Sequence, residues 1–399
     1  MEKMVKVSLK DGVYWVGVVD WNIRDFHGYV TNRGSTYNAY LIQDEQTALI
    51  DTVKNTFSDE LIQNITEHTS LDKIDYIIIN HVEMDHSSSL PVIAKLAKNA
   101  RIFASVRGKE ALIDHYGPEF ERVETLKTGD ELKVGKKTLR FVEAPMLHWP
   151  DSMFTYLVED KILMPNDAFG QHLASSERFN DEVDEHVLME EATIYYSNIL
   201  MPLAPLITRK IEEVVAMKIP IDIIAPSHGV IWRKDPMKIV NAYLNWASGG
   251  TTKNKVVIVF DTMWHSTDKM ARAIADGITS QGVDTKIIKL RSSPNSEAVT
   301  EVLDAKAVLV GSPTLNNGMF PTVSSFLTYI TGLKPKGKIW GFFGSYGWGG
   351  GAVRNMIKTA KEAGFDVMEP GLEIKYVPDD DDLKKCMEFG RQIAQKIKV

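Results

Sequence analysis

Lys73-Ile74-Asp75-Tyr76-Ile77-Ile78-Ile79-Asn80 passes without a break into His81-Val82-Glu83-Met84-Asp85-His86, and this junction decides the fold of the N-terminal half. A short, unbroken apolar run of this kind is a buried strand. Its C-terminal end delivers four candidate metal ligands within six residues, all directed toward one space. Three more candidates stand apart, each beside a strand-like run: His148 in APMLHWP, Asp167 in MPNDAFG and His228 in APSHG. Taken singly, such a histidine is an ordinary hydrogen-bonding residue. The cluster at 81–86 draws the three downstream positions into the same site.

A carboxylate can bridge two metals roughly 3.5–4 Å apart, and Asp167 is the natural bridge. His81, Glu83 and His148 then serve one metal, and Asp85 and His228 the other. Each metal keeps an open position, as a catalytic site requires. The chain has one cysteine, Cys386, in the helical stretch DDLKKCMEFGRQIAQKI. That excludes an internal disulfide and any Cys-rich zinc, iron–sulfur or rubredoxin centre in these residues. His27, His68, His115, His172 and His186 lack clustering and read as ordinary polar residues, although His27 and His172 can lie near a pocket. Tyr195, Tyr196 and His172 are candidate pocket donors whose simpler role is structural.

Outward from the junction, TYNAYLIQDEQTALIDT is a hairpin turning at Asp44–Gln46, and KTLRFVEA, FTYLVED, KILMPND and IDIIAPSHG are further strands. With helices such as SSLPVIAKLAKN between them, they predict sheets packed together with helices outside. The small, polar segment NWASGGTTKNK (245–255) marks a boundary, giving domains 1–250 and 251–399. Beyond it, KVVIVF, DTKIIKL, AVLVGS and KIWGFFGS alternate with helical stretches such as TDKMARAIADGI and GAVRNMIKTAKEAG. That rhythm predicts a doubly wound parallel sheet. The run Asp379–Asp382 suits a helix N-terminus.

Three loops of this second half follow strand ends, where such sheets bind ligands. Thr262, Met263, Trp264, His265, Ser266 and Thr267 combine hydroxyls with a helix start, an arrangement suited to a phosphate monoester. Ser312, Pro313, Thr314, Leu315, Asn316, Asn317 and Gly318 form the second loop, and Ser345, Tyr346, Gly347, Trp348, Gly349 and Gly350 the third. Their glycines admit a planar ring and their aromatics can stack on it. No GxGxxG fingerprint is present, which favours FMN over a dinucleotide.

His-x-[His/Glu]-x-Asp-His followed by His, Asp and His resembles the metallo-β-lactamase superfamily. Its hydrolytic members carry a second histidine, and zinc, where this chain has Glu83. The carboxylate makes the donor set harder and favours iron or manganese. The spacing after HxExD (62 residues to His148, 18 to Asp167, 60 to His228) and the flavodoxin-like half resemble the flavodiiron, or A-type flavoprotein, family over essentially the whole chain. The first flavin loop departs from the flavodoxin pattern [ST]-x-T-G-x-T at Trp264 and His265. The resemblance implies an α+β metallo-β-lactamase-like αββα sandwich followed by an α/β flavodoxin-like doubly wound parallel sheet. It implies two iron ions bridged by Asp167, an FMN, and His86 standing off the metal behind the ligands.

The activity it implies is reduction of nitric oxide to nitrous oxide, of dioxygen to water, or both, in detoxification. Electrons would come from a separate small carrier such as rubredoxin. It also implies a head-to-tail homodimer, or a dimer of such dimers, in which the flavin of one subunit meets the irons of the other. The net charge of −7 argues against nucleic acid as partner. The absence of a long apolar run or an apolar leader in MEKMVKVSLKDG argues against a membrane, leaving a cytoplasmic expectation. The alternatives are a zinc hydrolase fused to a flavodoxin, a non-catalytic gas or redox sensor, and an electron-transfer flavoprotein with a vestigial metal site.

Overall fold

A computed structural model describes residues 6–249 and 254–398. The 250/251 domain boundary expected from sequence lies outside the described residues. The chain forms two compact units, one of Met1–Tyr195 with Pro205–Leu244, the other of Tyr196–Ala204 with Asn245–Val399.

The isoleucine run explains the first unit. Strand Tyr76–Ile79 lies inside a seven-stranded sheet, in the spatial order Val7–Lys10, Val13–Trp15, Tyr40–Gln43, Thr47–Ile50, Tyr76–Ile79, Arg101–Ser105, Glu124–Leu126. Side chains alternate across a strand. Tyr76 and Ile78 therefore face a core shared with a second sheet, while Ile77 and Ile79 face a core shared with helices. Both faces are buried, so the run shows no polar alternation. Each fully buried isoleucine contributes about 1.5–3 kcal/mol. The helix side is supplied by Leu61 and Ile65 of Ser58–Thr66 and by Leu90 and Ile93 of Leu90–Leu96. The hairpin expected at Asp44–Gln46 is present, with Gln43 opposite Thr47.

The second sheet orders Glu131–Val134, Lys137–Glu143, Met153–Leu157, Ile162–Met164 and Ile223–Ile224. Leu139, Phe141, Met153, Leu157 and Ile162 fill the space between the sheets. Across its other face, Tyr156 donates to the Pro220 carbonyl and Lys210 to that of Glu143. The result is the αββα sandwich expected from sequence. Two further ribbons, Val18–Asp20 with Ser35–Tyr37 and Asp25–Phe26 with Tyr29–Val30, carry no comparable sequence signal.

In the second unit, parallel strands order Asp284–Lys289, Lys255–Phe260, Ala307–Pro313 and Ile339–Tyr346, with Asp366–Val367 and Leu372–Lys375 both pairing with the last. This is the flavodoxin-like order, which places ligands at the strands' C-terminal ends. Helices Ser266–Thr279 and Asp380–Lys396 meet at two glycines. A Cβ on Gly277 would strike the Met387 backbone, and one on Gly390 the backbone of Ile274. Asp379 caps the second of these helices by accepting from the Asp382 amide.

Candidate functional site

Four loops at one end of the sandwich converge. His81 follows strand Tyr76–Ile79, His148 precedes Met153–Leu157, Asp167 follows Ile162–Met164, and His228 follows Ile223–Ile224. Asp167 Oδ2 lies 3.5 Å from His81 Nε2 and 3.3 Å from His148 Nε2, and Glu83 Oε2 lies 3.3 and 3.2 Å from the same two nitrogens. The other oxygen, Asp167 Oδ1, lies 3.1 Å from His86 Nε2 and 3.3 Å from His228 Nε2. Asp85 Oδ2 sits 3.3 and 3.1 Å from those nitrogens. Two donor groups result, His81–Glu83–His148–Asp167 and Asp85–His86–His228, and the single carboxylate of Asp167 faces both. Donors bound at about 2.0–2.2 Å around one ion stand roughly 3–3.5 Å apart, and these do.

Six side-chain atoms of these residues are buried without a hydrogen-bond partner: both oxygens of Asp85, both ring nitrogens of His86, Nε2 of His148 and Oδ2 of Asp167. Buried polar atoms left so cost free energy unless a cation satisfies them. The protonation balance agrees. Burial alone would push the imidazoles of His148 and His228 down. Contact with Asp167, joined by Glu83 for the first and Asp85 for the second, outweighs it and raises them to about 9 and about 10. The cluster demands positive charge.

A second layer aims the ligands. His81 Nδ1 donates to Asp151 Oδ2 at 2.9 Å and His228 Nδ1 to the Thr36 carbonyl at 2.7 Å, which turns each Nε2 toward the site as the atom that a metal would take in place of a proton. Asp51 accepts from the Asn80 amide at 2.7 Å and from the Asn166 side chain at 3.2 Å, gripping the residues that immediately precede His81 and Asp167. Neither Asp51 nor Asp151 belongs to a sequence motif. Asp151→Ala is expected to cost about 10–100-fold in metal affinity, the usual effect of losing such a support. Metal titration of the variant against wild type checks it.

The resemblance implies that His86 stands off the metal behind the ligands; in the structure its Nε2 lies 3.3 Å from Asp85 Oδ2 and 3.1 Å from Asp167 Oδ1, within reach of the second donor group. The turn Met84–Ser87 explains this: successive residues rotate by about 100°, so Asp85 and His86 both point inward while Met84 is 54% exposed. His27, at the tip of the Asp25–Val30 ribbon, hydrogen-bonds Glu83. His172 is buried, its Nδ1 2.7 Å from Ser35 Oγ and its ring 4.8 Å from that of His228. Tyr195 packs 5.1 Å from His172, whereas Tyr196 belongs to the other unit and packs on Trp246 there. His68 and His115 lie against tyrosines away from both donor groups, as ordinary polar residues do.

In the second unit a cleft of about 580 Å³ opens where the three expected loops meet. Met263, Trp264, Ser266, Thr314, Leu315, Asn316, Asn317, Ser345, Tyr346, Gly347, Trp348 and Gly349 line it, joined by Pro313 and by Tyr376 and Val377 from a fourth loop. Thr262, His265, Thr267, Gly318 and Gly350 shape the loops without lining the cleft. His265 takes φ 66° at the start of helix Ser266–Thr279, the backbone role a glycine would otherwise fill. Thr267 Oγ1 is 3.0 Å from Ser345 Oγ, tying two loops together. Thr262 Oγ1 is buried and has no hydrogen-bond partner, which suits an anion held at the helix start.

A family model described as ODP family beta lactamase matches residues 36–229, and one for flavodoxin matches residues 258–390. A nitric oxide reductase of Moorella thermoacetica is 49% identical over 394 residues, 98% of each chain. The flavodiiron protein from Giardia intestinalis superposes with a TM-score of 0.96 at 38% identity, covering 100% of this chain and 98% of that one. This chain belongs to the flavodiiron family. The rubredoxin oxygen:oxidoreductase from the anaerobe Desulfovibrio gigas is similarly close, with a TM-score of 0.96, 40% identity and 99% of each chain covered. The carboxylate-rich donor groups fit the two irons of a flavodiiron protein, and the cleft of the flavodoxin unit fits its FMN.

Proposed function

We propose that this flavodiiron protein reduces nitric oxide to nitrous oxide, dioxygen to water, or both, at a di-iron centre supplied with electrons through FMN. The observation that carries this is Asp167, whose two oxygens each face a separate donor group. In this reading His81, Glu83 and His148 would hold one iron, Asp85 and His228, with His86 beside them, the other, and Asp167, which faces both groups, would serve both. When bound, the ferrous pair and reduced FMN supply the four electrons dioxygen requires, or the two that couple two nitric oxides. Glu83 supports iron over the zinc of hydrolytic relatives, because it replaces an imidazole with a hard oxygen donor. His27 holds Glu83, and the rings of Phe26 and His172 exclude water beside His228.

Cys386 is buried and is the sole cysteine of these residues, too few for a cysteine-held iron site, and rubredoxin is proposed as the electron donor. Trp264 and Trp348, 86% and 93% exposed, rim the FMN cleft with Met263, Tyr376 and Val377. An apolar rim of this kind supports a covering partner, proposed as the di-iron end of a second copy in a head-to-tail homodimer. Among the described residues no helix is long and apolar enough to cross a membrane. A cytoplasmic location is proposed.

Anaerobic reduction of the purified protein, followed by mixing with each gas separately, tests the function. Repeated turnover with at least one gas is expected, together with two irons and one FMN per chain. Two zincs with ester or thioester hydrolysis would overturn it.

A further inference from the structure

Each dioxygen taken to two waters consumes four protons with its four electrons, and each pair of nitric oxides taken to nitrous oxide and water consumes two of each. Glu83 and His148 are half-buried at one side of the site, while Asp85, Asp167, His81 and His228 are buried, so the inner side of the centre needs its own way in for protons. Helix Glu185–Tyr195 offers one. Glu191 is a carboxylate with 5% side-chain exposure, its Oε1 3.1 Å from Arg33 Nε. Arg33 is 45% exposed and also approaches the half-exposed Glu190 at 3.6 Å, so the pair sits at a mouth open to water. One turn further, Tyr195 shares the helix face of Glu191, because residues four apart are neighbours on a helix. The Tyr195 ring lies 5.1 Å from that of His172 and 6.1 Å from that of the candidate ligand His228. Arg33 is also two residues from Ser35, which bonds His172.

We propose that Glu191 is the intake of a proton path into the gas-reducing centre, passing protons from the Arg33 mouth toward Tyr195 and His172. In each transfer the Glu191 carboxyl releases its proton inward, and the carboxylate takes one back from bulk water at the mouth. The electrons travel separately, from the flavin. Burial pushes the Glu191 carboxyl up to about 7, with Glu190 adding to the effect and Arg33 opposing it. A group that titrates there both gives and takes protons readily at neutral pH. No other charged group among the described residues perturbs it.

This proposal rests on the gas-reductase reading, and two measurements on the iron- and FMN-loaded protein separate them. The first is an infrared pH titration without gas. A protonated-carboxyl band disappearing with a midpoint near 7, absent in Glu191→Gln, is expected; its absence from wild type overturns the proposal whatever the activity. The second is turnover against pH with saturating reductant. Wild-type turnover is expected to fall as pH rises through about 7, because the donor form is the protonated one. Glu191→Gln, which keeps a contact for Arg33, is expected to lower turnover roughly a hundredfold and to lose that limb. Glu191→Asp should restore part of both. Unchanged turnover and pH profile in Glu191→Gln, with iron and FMN retained, overturns the intake. Lack of turnover in the wild type itself overturns the functional reading instead, and the infrared result still decides whether Glu191 titrates.

Discussion

Asp167→Ala is expected to strip both metal positions and abolish gas reduction while the flavin stays bound. Its two oxygens serve different donor groups, Oδ2 facing His81 and His148 and Oδ1 facing His86 and His228. Alanine removes the one group common to both sets, so neither half retains its complement. Removing one member of a buried charge pairing costs about 3–5 kcal/mol. That corresponds to roughly two to four powers of ten in metal affinity. Metal analysis, flavin absorbance and turnover on the same preparation check it. Retention of two irons with turnover within tenfold of wild type would mean that Asp167 is not the shared ligand. Retained FMN is as important as lost iron, because every cleft-lining residue lies in the other unit.

The converse result is expected of Gly351→Ala. Gly351 has φ 151° and precedes helix Ala352–Glu362, and a Cβ there would collide with the Asn317 carbonyl. Asn316 and Asn317 already stand at φ 49° and 60° to present the second loop to the cleft. Displacing them moves one wall of the flavin site. Strain of about 1–3 kcal/mol corresponds to roughly 5–150-fold weaker FMN binding, with the metal content unchanged. Titrating the flavin-free variant with FMN, followed by flavin fluorescence, measures it. Gly364→Ala is the control: φ is 80° but nothing lies within 4 Å of the added Cβ, so it should lose stability without losing flavin.

The variants differ in how far sequence alone could have suggested them. The strand Tyr76–Ile79 and its ligand-bearing loop are legible because chemistry and hydrophobicity coincide in one short stretch. The two folds are legible too, one from βα alternation and the other from strands ending in ligands. Asp151 is not, because its function depends on meeting His81 across 70 residues, and an acidic residue in a turn is otherwise unremarked. His27 escapes for a related reason: its ribbon is built from two-residue strands, too short for any periodicity. Tyr376 and Val377 come from a loop after a strand that pairs late in the sheet, and nothing local marks them. His86 is visible in the motif, but its orientation depends on a single helical turn that puts two consecutive side chains on the inner side.

The wide dispersal of the donor residues bears on how the protein is made. His81 to His228 spans 147 residues (228 − 81), so the centre is incomplete until the last of them has left the ribosome. At about 5–20 residues per second, the segment 81–86 waits roughly 7–30 s for its final partner. During that interval it offers histidine and carboxylate donors without the bridging arrangement, and any cation it catches is held loosely. Tight and selective capture is therefore a property of the finished sandwich, and iron enters the protein as a late event of its maturation.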